Sequence, residues 1–542
     1  MHSAQPRSRS LLAAVGWLVG VAAVAAGVHQ GWRATWLPHG IPSLDVADYL
    51  VSALALRDAW LASDPAAFAS AMLAPNVHPP LHPLVLAAWT LVRGASIASA
   101  AEVAALTWVA ALGALIWLGH RAHPIYGRWA GLAAAALTAA SVEHQRLSAA
   151  PMTENLALLA LLLALGAAST RAGLVAGACV CLAALVRYNL APMLVVPIVI
   201  AHVVESRNAR RSFRGLALTM LPTLAVLVAW TAARPELPSF LGSFFRNVDS
   251  GLPTWSAENL AWLPTAFALG YTGNTAVAAG VGVLLLASAA SWTPEARKDD
   301  ARRVERLLQV FVLTAVVAIT VHPYKLTRVL HGVVPVAYLV ATLTVARAAN
   351  ALPLARLPVV AGALGLALLL HRANGAAGRH GRLEFAAGAD TTKALDRAVL
   401  AMDGSAEVIL SGSHAVLNLH TLELWYRMGH PNARVLADLA GCQGCVPPET
   451  RRALEERRTG VAIVTVEREA RDPDRPVRRR SGNVKPAGTD SSEASAREVA
   501  ALAATMGVRE TASIELPRLH AKVSVYRILP AATTGGRPAP PL

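Results

Sequence analysis

Up to His371 the sequence is a series of apolar runs, many of them long enough to cross a bilayer as a helix. A spanning helix needs about 20 mostly apolar residues. Its backbone must also satisfy itself, since the hydrocarbon core offers no water. Runs over 11–29, 79–93, 98–119, 125–142, 152–169, 172–186, 190–204, 215–233, 271–291, 307–322, 327–346 and 354–371 fit this need. They predict about 11–13 spans. The run 79–93 is short and reads as re-entrant or interfacial. Beyond 371 the sequence reads like an ordinary soluble domain. Composition agrees, with 54% hydrophobic and only 15% charged residues in 542, where a soluble chain is about 25% charged. Intrinsic disorder is excluded, because it needs low hydrophobicity and high charge.

The expected fold class is therefore a polytopic α-helical membrane protein with a C-terminal soluble α/β domain. Residues 1–371 form the transmembrane domain and 372–542 the soluble one. In the tail, Ala406–Ser411, Val461–Val466 and Val523–Ile528 read as short strands, and Thr392–Met402, Ala415–Met428 and Ser495–Met506 as helices. Residues 470–495 are rich in Arg, Pro, Asp and Ser and read as a disordered loop.

The net charge is +15. In a soluble protein that excess would point to nucleic acid. In a membrane protein it marks topology, because Lys and Arg collect in cytoplasmic loops. Arg7/Arg9, Arg121/Arg128, Arg207/Arg210/Arg211/Arg214, Arg297/Lys298/Arg302/Arg303/Arg306 and Arg347/Arg356 form the inner set. The loops 30–78, 143–151, 234–270 and 322–326 then face outward, as does the tail. Arg7 and Arg9 before the run from Leu11 resemble a signal peptide, but no cleavage site follows, so this reads as an uncleaved first span. The first outer loop carries several acids and tryptophans, and its 44–73 stretch suits the membrane surface.

Four groups of residues could carry chemistry. Asp45 and Asp48 stand in P-S-L-D-V-A-D-Y-L beyond the first span. A carboxylate there can take a proton from an acceptor or ligate a cation; it can equally be a solvated loop acid. His78 and His82 lie in N-V-H-P-P-L-H-P-L and would share a face if that stretch were helical. They could hold a phosphate or simply mark a helix entry. Glu143 and Glu154 flank E-H-Q-R-L-S-A-A-P-M-T-E. An acid at the edge of a span suits function, and an acid in a first turn suits the helix dipole. Arg187, Lys325 and Arg328 put positive charge on the outer face, against the usual trend. A phosphate would explain them through charge-assisted bonds, as would snorkelling to headgroups. Cys442 and Cys445 suit a local disulfide better than half a zinc site, and Cys179 and Cys181 read as packing residues in a span.

The order and spacing of Asp45, H-P-P-L-H-P-L-V-L over 78–86, the acids of 143–154, Arg187 and K-L-T-R-V-L-H-G-V-V-P over 325–335 resemble one family. These are the GT-C membrane glycosyltransferases, most closely the protein mannosyltransferases and the bacterial aminoarabinose transferases. The resemblance covers roughly residues 11–350. It implies a sugar donor on a polyprenyl phosphate, an active site and tail outside the cytoplasm, and a bacterial-type plasma (inner) membrane location. The acceptor would be a glycan, lipid or protein, in contact with membrane lipids and not nucleic acid. Asp45 would match the catalytic acid of the first loop, and Glu143 or Glu154 the second acid. Arg187, Lys325 and Arg328 would hold the leaving phosphate, with His78, His82 and Asp48 lining the substrate site. No metal ligand set is evident and no cofactor is required, although a divalent cation is compatible with the acids. The first-loop acids are three apart here, where the family pattern has an adjacent pair. Two other readings stand beside this one: a transporter or flippase of lipid-linked precursors, and an inactive relative of the transferases.

Overall fold

The computed structural model describes residues 17–29, 44–74, 78–123, 126–148, 150–169, 173–205, 209–239, 253–289, 300–322, 327–351, 396–411, 422–424, 434–438, 446–468, 491–516 and 521–528, with the single residues 242, 292 and 325. The chain divides into two compact units, one of residues 1–37 and 52–382 and one of residues 38–51 and 383–542.

The first unit is helical. Its elements are α1 (Trp17–His29), α2 (Leu44–Leu61), α3 (Pro65–Met72), α4 (Leu81–Arg93), α5 (Ile97–Ala122), α6 (Gly127–Ala140), α7 (Val142–Leu147), α8 (Thr153–Ser169), α9 (Gly173–Val186), α10 (Leu190–Glu205), α11 (Ala209–Ala233), α12 (Ala257–Thr265), α13 (Thr275–Ser288), α14 (Asp300–Val321) and α15 (Val333–Ala351). The first turns of α2 fall in the second unit. Among the described residues, α5, Phe213–Ala233 and Arg303–Val321 are long and apolar enough to cross a membrane, and six shorter apolar helices accompany them. Leu221, Val228 and Leu313 stand more than half exposed on these helices. Water would penalise such a surface and lipid would not. The protein is a polytopic helical membrane protein, and the run 354–371 lies outside the described residues.

Small side chains let the helices approach closely. A Cβ on Gly119 of α5 would lie 2.5 Å from the Gly127 carbonyl oxygen and 2.8 Å from the Gly131 Cα of α6. One on Gly27 of α1 would lie 2.8 Å from the Ala139 carbonyl. The alanine-rich α6 is thus sealed on several sides, as small-residue packing between membrane helices allows.

Several sequence expectations change. The run 271–291 is not one continuous helix. Residues Ala266–Thr272 form a π-helix, Gly273 turns with φ 64°, and Asn274 caps α13 by accepting from the Ala276 and Val277 amides. The two helices of this pair, Ala257–Thr272 and Thr275–Ser288, meet at 117°. Segment 44–73 is two helices, parted where Asp64 caps α3. His78 precedes α4, so it shares no helical face with His82; Pro80 is the N-cap, and Pro83 sits in the first turn, where a missing N–H costs nothing.

The second unit is a five-stranded sheet of order β2-β1-β3-β5-β4. β1 (Glu407–Ser411), β2 (Arg434–Asp438) and β3 (Val461–Arg468) are parallel, whereas β4 (Arg509–Leu516) and β5 (Ala521–Ile528) pair antiparallel. Alternation sends Val408, Leu410, Val464 and Val525 into one apolar layer and Ile409, Ile463 and Tyr526 into the other. α16 (Pro448–Glu455) and α17 (Ser491–Thr505) contribute to the second layer. β2, β4 and α16 escaped the sequence reading, because short polar-flanked elements give little periodicity. α17 covers the end of the loop expected over 470–495; residues 470–490, most of 415–428, Cys442 and Cys445 lie outside the described residues.

Candidate active site

The polar groups of the helical unit gather where several apolar helices begin and end. α8 starts at Thr153 and places Glu154 in its first turn. α9 returns alongside it and ends at Val186, which delivers Arg187 to the same end. α14 stops at Val321, and a 3₁₀ turn over Thr327–Leu330 carries Arg328 before α15 begins. α4 contributes His82 from its first turn.

Glu154 is 2% exposed, and Arg187 Nη1 donates to its Oε1 at 3.2 Å. Its other oxygen, Oε2, is buried and accepts no hydrogen bond from the described protein. Arg187, Arg328 and His82 act on this carboxylate electrostatically, and His78 and Arg187 act on buried His82. Two arginines and His82 therefore stand about one buried acid, with His78 beside His82. A buried charge is tolerated only when paired, and this group carries more positive than negative charge, which suits an anionic group.

Glu143 is also buried, but it is occupied differently. Arg146 grips it with both Nε and Nη2, the Nε–Oε2 distance being 3.0 Å. Thr327 Oγ1 donates to its Oε1 at 3.4 Å. Glu143 thereby ties α7 to the turn that carries Arg328.

Lys325 has a role that the sequence did not reveal. Its Nζ donates to the Ile319 and Thr320 carbonyls at 2.6 and 2.9 Å and lies 5.5 Å from the Trp262 ring centroid. These are orphan carbonyls at the end of α14, so Lys325 is a C-terminal cap.

Asp45 and Asp48 stand in the first turns of α2, in the other unit. The side chain of Asp45 lies outside the described residues, and Asp48 is half-buried. Among the described residues no three His, Cys, Asp or Glu side chains converge to hold a metal ion, and Glu143 and Glu154 are each engaged by an arginine. Cys179 and Cys181 are free thiols on α9.

Sequence reasoning missed Tyr271, Asn155 and His331. Tyr271 OH donates to the Thr327 carbonyl at 2.8 Å. Nothing in the linear sequence links residues so far apart, although the π-helix that presents Tyr271 is a type that often marks functional sites.

No family model matches the chain, and no curated protein matches it. Solved structures do. The chain is similar to ArnT from Cupriavidus metallidurans in the apo state, at 14% identity and a TM-score of 0.58, over 95% of this chain and 98% of that one. The same enzyme bound to undecaprenyl phosphate gives a TM-score of 0.58 over 97% of this chain and 100% of that one, again at 14% identity. The chain has the GT-C fold. A third match is the Archaeoglobus fulgidus oligosaccharyltransferase in complex with Zn and sulfate, at 13% identity and a TM-score of 0.52, over 82% of this chain and 67% of that one. Coverage of both ArnT structures is nearly end to end, so the GT-C likeness includes the C-terminal sheet as well as the helices.

Proposed function

We propose that this chain transfers a sugar from a polyprenyl-phosphate donor to an acceptor on the extracytoplasmic face of a bacterial-type plasma membrane. The carrying observation is the convergence of Arg187 and Arg328 on buried Glu154 at the ends of apolar helices. A lipid phosphate needs an anion site beside an apolar surface, and guanidinium groups bind phosphate oxygens with charge-assisted bonds. The solved relatives bound to undecaprenyl phosphate and to dolichol-phosphate support the same reading.

In this reading the bond between the anomeric carbon and the phosphate oxygen breaks, and the polyprenyl phosphate leaves with the electron pair. Arg187 and Arg328 stabilise the charge that develops on it. The acceptor oxygen bonds to the anomeric carbon and gives its proton to a general base, the role that the family resemblance implies for Asp45. Glu154 holds Arg187 in place, while His78 and His82 line the substrate site. The acceptor is a glycan, lipid or protein group, and no step calls on a metal ion.

The test is equilibrium binding of undecaprenyl phosphate and of undecaprenol to the full chain in detergent. A charge-assisted contact is worth about 1.5–3 kcal/mol, so the phosphate should bind at least tenfold more tightly than the alcohol, and Arg328→Ala should remove most of the preference. Equal binding of the two lipids by the wild type would overturn the proposal. Asp45→Ala should keep the preference and lose transfer.

A further inference from the structure

Glu143 and Glu154 are each followed in sequence by a residue that holds the Arg328 turn. After Glu143 comes His144. Its Nε2 contacts the His331 carbonyl at 3.0 Å, and since a carbonyl only accepts, Nε2 carries the proton. Its Nδ1 then accepts from Ser141 Oγ at 3.0 Å. After Glu154 comes Asn155. Its amide nitrogen faces the carbonyls of Ala104, Leu147 and Ser148 at 3.2, 2.9 and 3.2 Å, which fixes the amide orientation. Oδ1 is left to accept from His331 Nε2 at 3.2 Å. The turn is held at its other end too, where Tyr271 OH donates to the Thr327 carbonyl and Thr327 Oγ1 donates to Glu143.

Packing reinforces these bonds. His144 is fully buried, with its ring centroid 4.3 Å from that of His331, 5.1 Å from Tyr271 and 5.4 Å from stacked Trp108. Within the turn, the His331 amide donates to the Arg328 carbonyl at 3.1 Å. The backbone that carries Arg328 is thus fixed from three elements distant in sequence: the π-helix, α7 and the start of α8. A four-residue 3₁₀ turn has little rigidity of its own. The arginine can be presented to Glu154 with a defined geometry only if its backbone is held from outside.

We infer that Tyr271, His144 and Asn155 are positioning residues that clamp the 327–331 segment, so that Arg328 is preorganised to receive the phosphate of the lipid donor. The inference rests on the proposed function for the identity of the anion. None of the three needs to touch the lipid; they act by sparing the site the cost of ordering a flexible arginine when the ligand arrives.

The test uses the full chain in detergent with undecaprenyl phosphate and undecaprenol as probes. Tyr271→Phe keeps the ring against His144 and removes one hydroxyl. It should weaken undecaprenyl phosphate binding by about three- to thirtyfold, within the range of coupling between residues of one network, and leave undecaprenol binding unchanged. In an Arg328→Ala background the same change should have no further effect. His144→Leu should behave like Tyr271→Phe. His144→Gln, which can again present an N–H to the His331 carbonyl, should restore most of the affinity. Amide exchange over 327–331 should accelerate in Tyr271→Phe without any ligand.

A loss that is equal for both lipids, or that persists undiminished in the Arg328→Ala background, would overturn the positioning role. Unchanged phosphate preference and unchanged exchange in Tyr271→Phe would do the same while leaving the lipid-phosphate reading intact. Wild-type protein that binds both lipids equally would overturn that reading and this inference together.

Discussion

Replacing Glu154 with Gln tests the electrostatics of the site most directly, because the two expected effects have opposite signs. The carboxylate oxygen and Arg187 Nη1 are 3.2 Å apart. At an effective dielectric of about 20 that separation corresponds to about 5 kcal/mol of attraction. Desolvation of both groups offsets much of it, and removing one partner of a fully buried pair costs about 3–5 kcal/mol. Here the loss is smaller. The Arg187 side chain is 22% exposed and can draw on solvent, and the glutamine oxygen still accepts from it. Glu154→Gln should therefore destabilise the chain by about 1–2 kcal/mol, the order of one lost charge-assisted bond.

The same substitution should tighten phosphate binding. A lipid phosphate held by Arg187 and Arg328 within about 6 Å of the carboxylate is repelled by about 2–3 kcal/mol per unit charge at the same dielectric. Without that charge, undecaprenyl phosphate should bind at least tenfold more tightly, since each 1.4 kcal/mol is about a factor of ten. The assay is thermal unfolding of the purified variant with and without undecaprenyl phosphate, beside a direct titration. Apo Glu154→Gln should unfold earlier than wild type, and saturating ligand should close the gap by mass action. Weaker or unchanged affinity in Glu154→Gln would refute the reasoning, because the hold of Glu154 on Arg187 would then outweigh its repulsion of the phosphate.

Three further outcomes follow from the geometry. Gly119→Ala places a methyl against the α6 backbone at 2.5 Å, and should lower the unfolding temperature by the equivalent of about 1–3 kcal/mol, the usual cost of overpacking. Lys325→Met removes two carbonyl contacts at the end of α14 and should cost about 1–3 kcal/mol in thermal unfolding, with a smaller effect on undecaprenyl phosphate affinity than Arg328→Ala. In the sheet, the Ser411 hydroxyl is fully buried and makes no hydrogen bond with the described protein, so Ser411→Ala should be neutral or stabilising by up to about 1 kcal/mol in denaturant unfolding.

How far the candidate site could be read from sequence depended on how local its signals were. Glu154 and Arg187 were legible because a charge at the edge of an apolar run is conspicuous whatever surrounds it. Arg328 was legible as a cation but not as a member of a clamped turn. Lys325 looked identical to it in the linear pattern, yet one stands beside Glu154 and the other caps a helix. His78 and His82 looked like a helical pair until the N-cap proved to be Pro80. Tyr271 was hidden inside an apolar run, because hydropathy cannot register a π-helix or the turn at Gly273 that breaks the span.

What the sequence determined by itself was the solvent of each half of the chain. Apolar runs before His371 require a bilayer and alternating apolar residues after it make a sheet, since hydrophobic burial depends on local pattern and adds up residue by residue. Only the tertiary structure decided which polar groups meet. Glu143 and Thr327, or His144 and His331, lie more than 180 positions apart, and no periodicity spans that separation. Their encounter depends on how the ends of α7, α8, α9 and α14 pack, and so the placement of Arg328 beside Glu154 and of Lys325 on a helix end had to come from the folded protein.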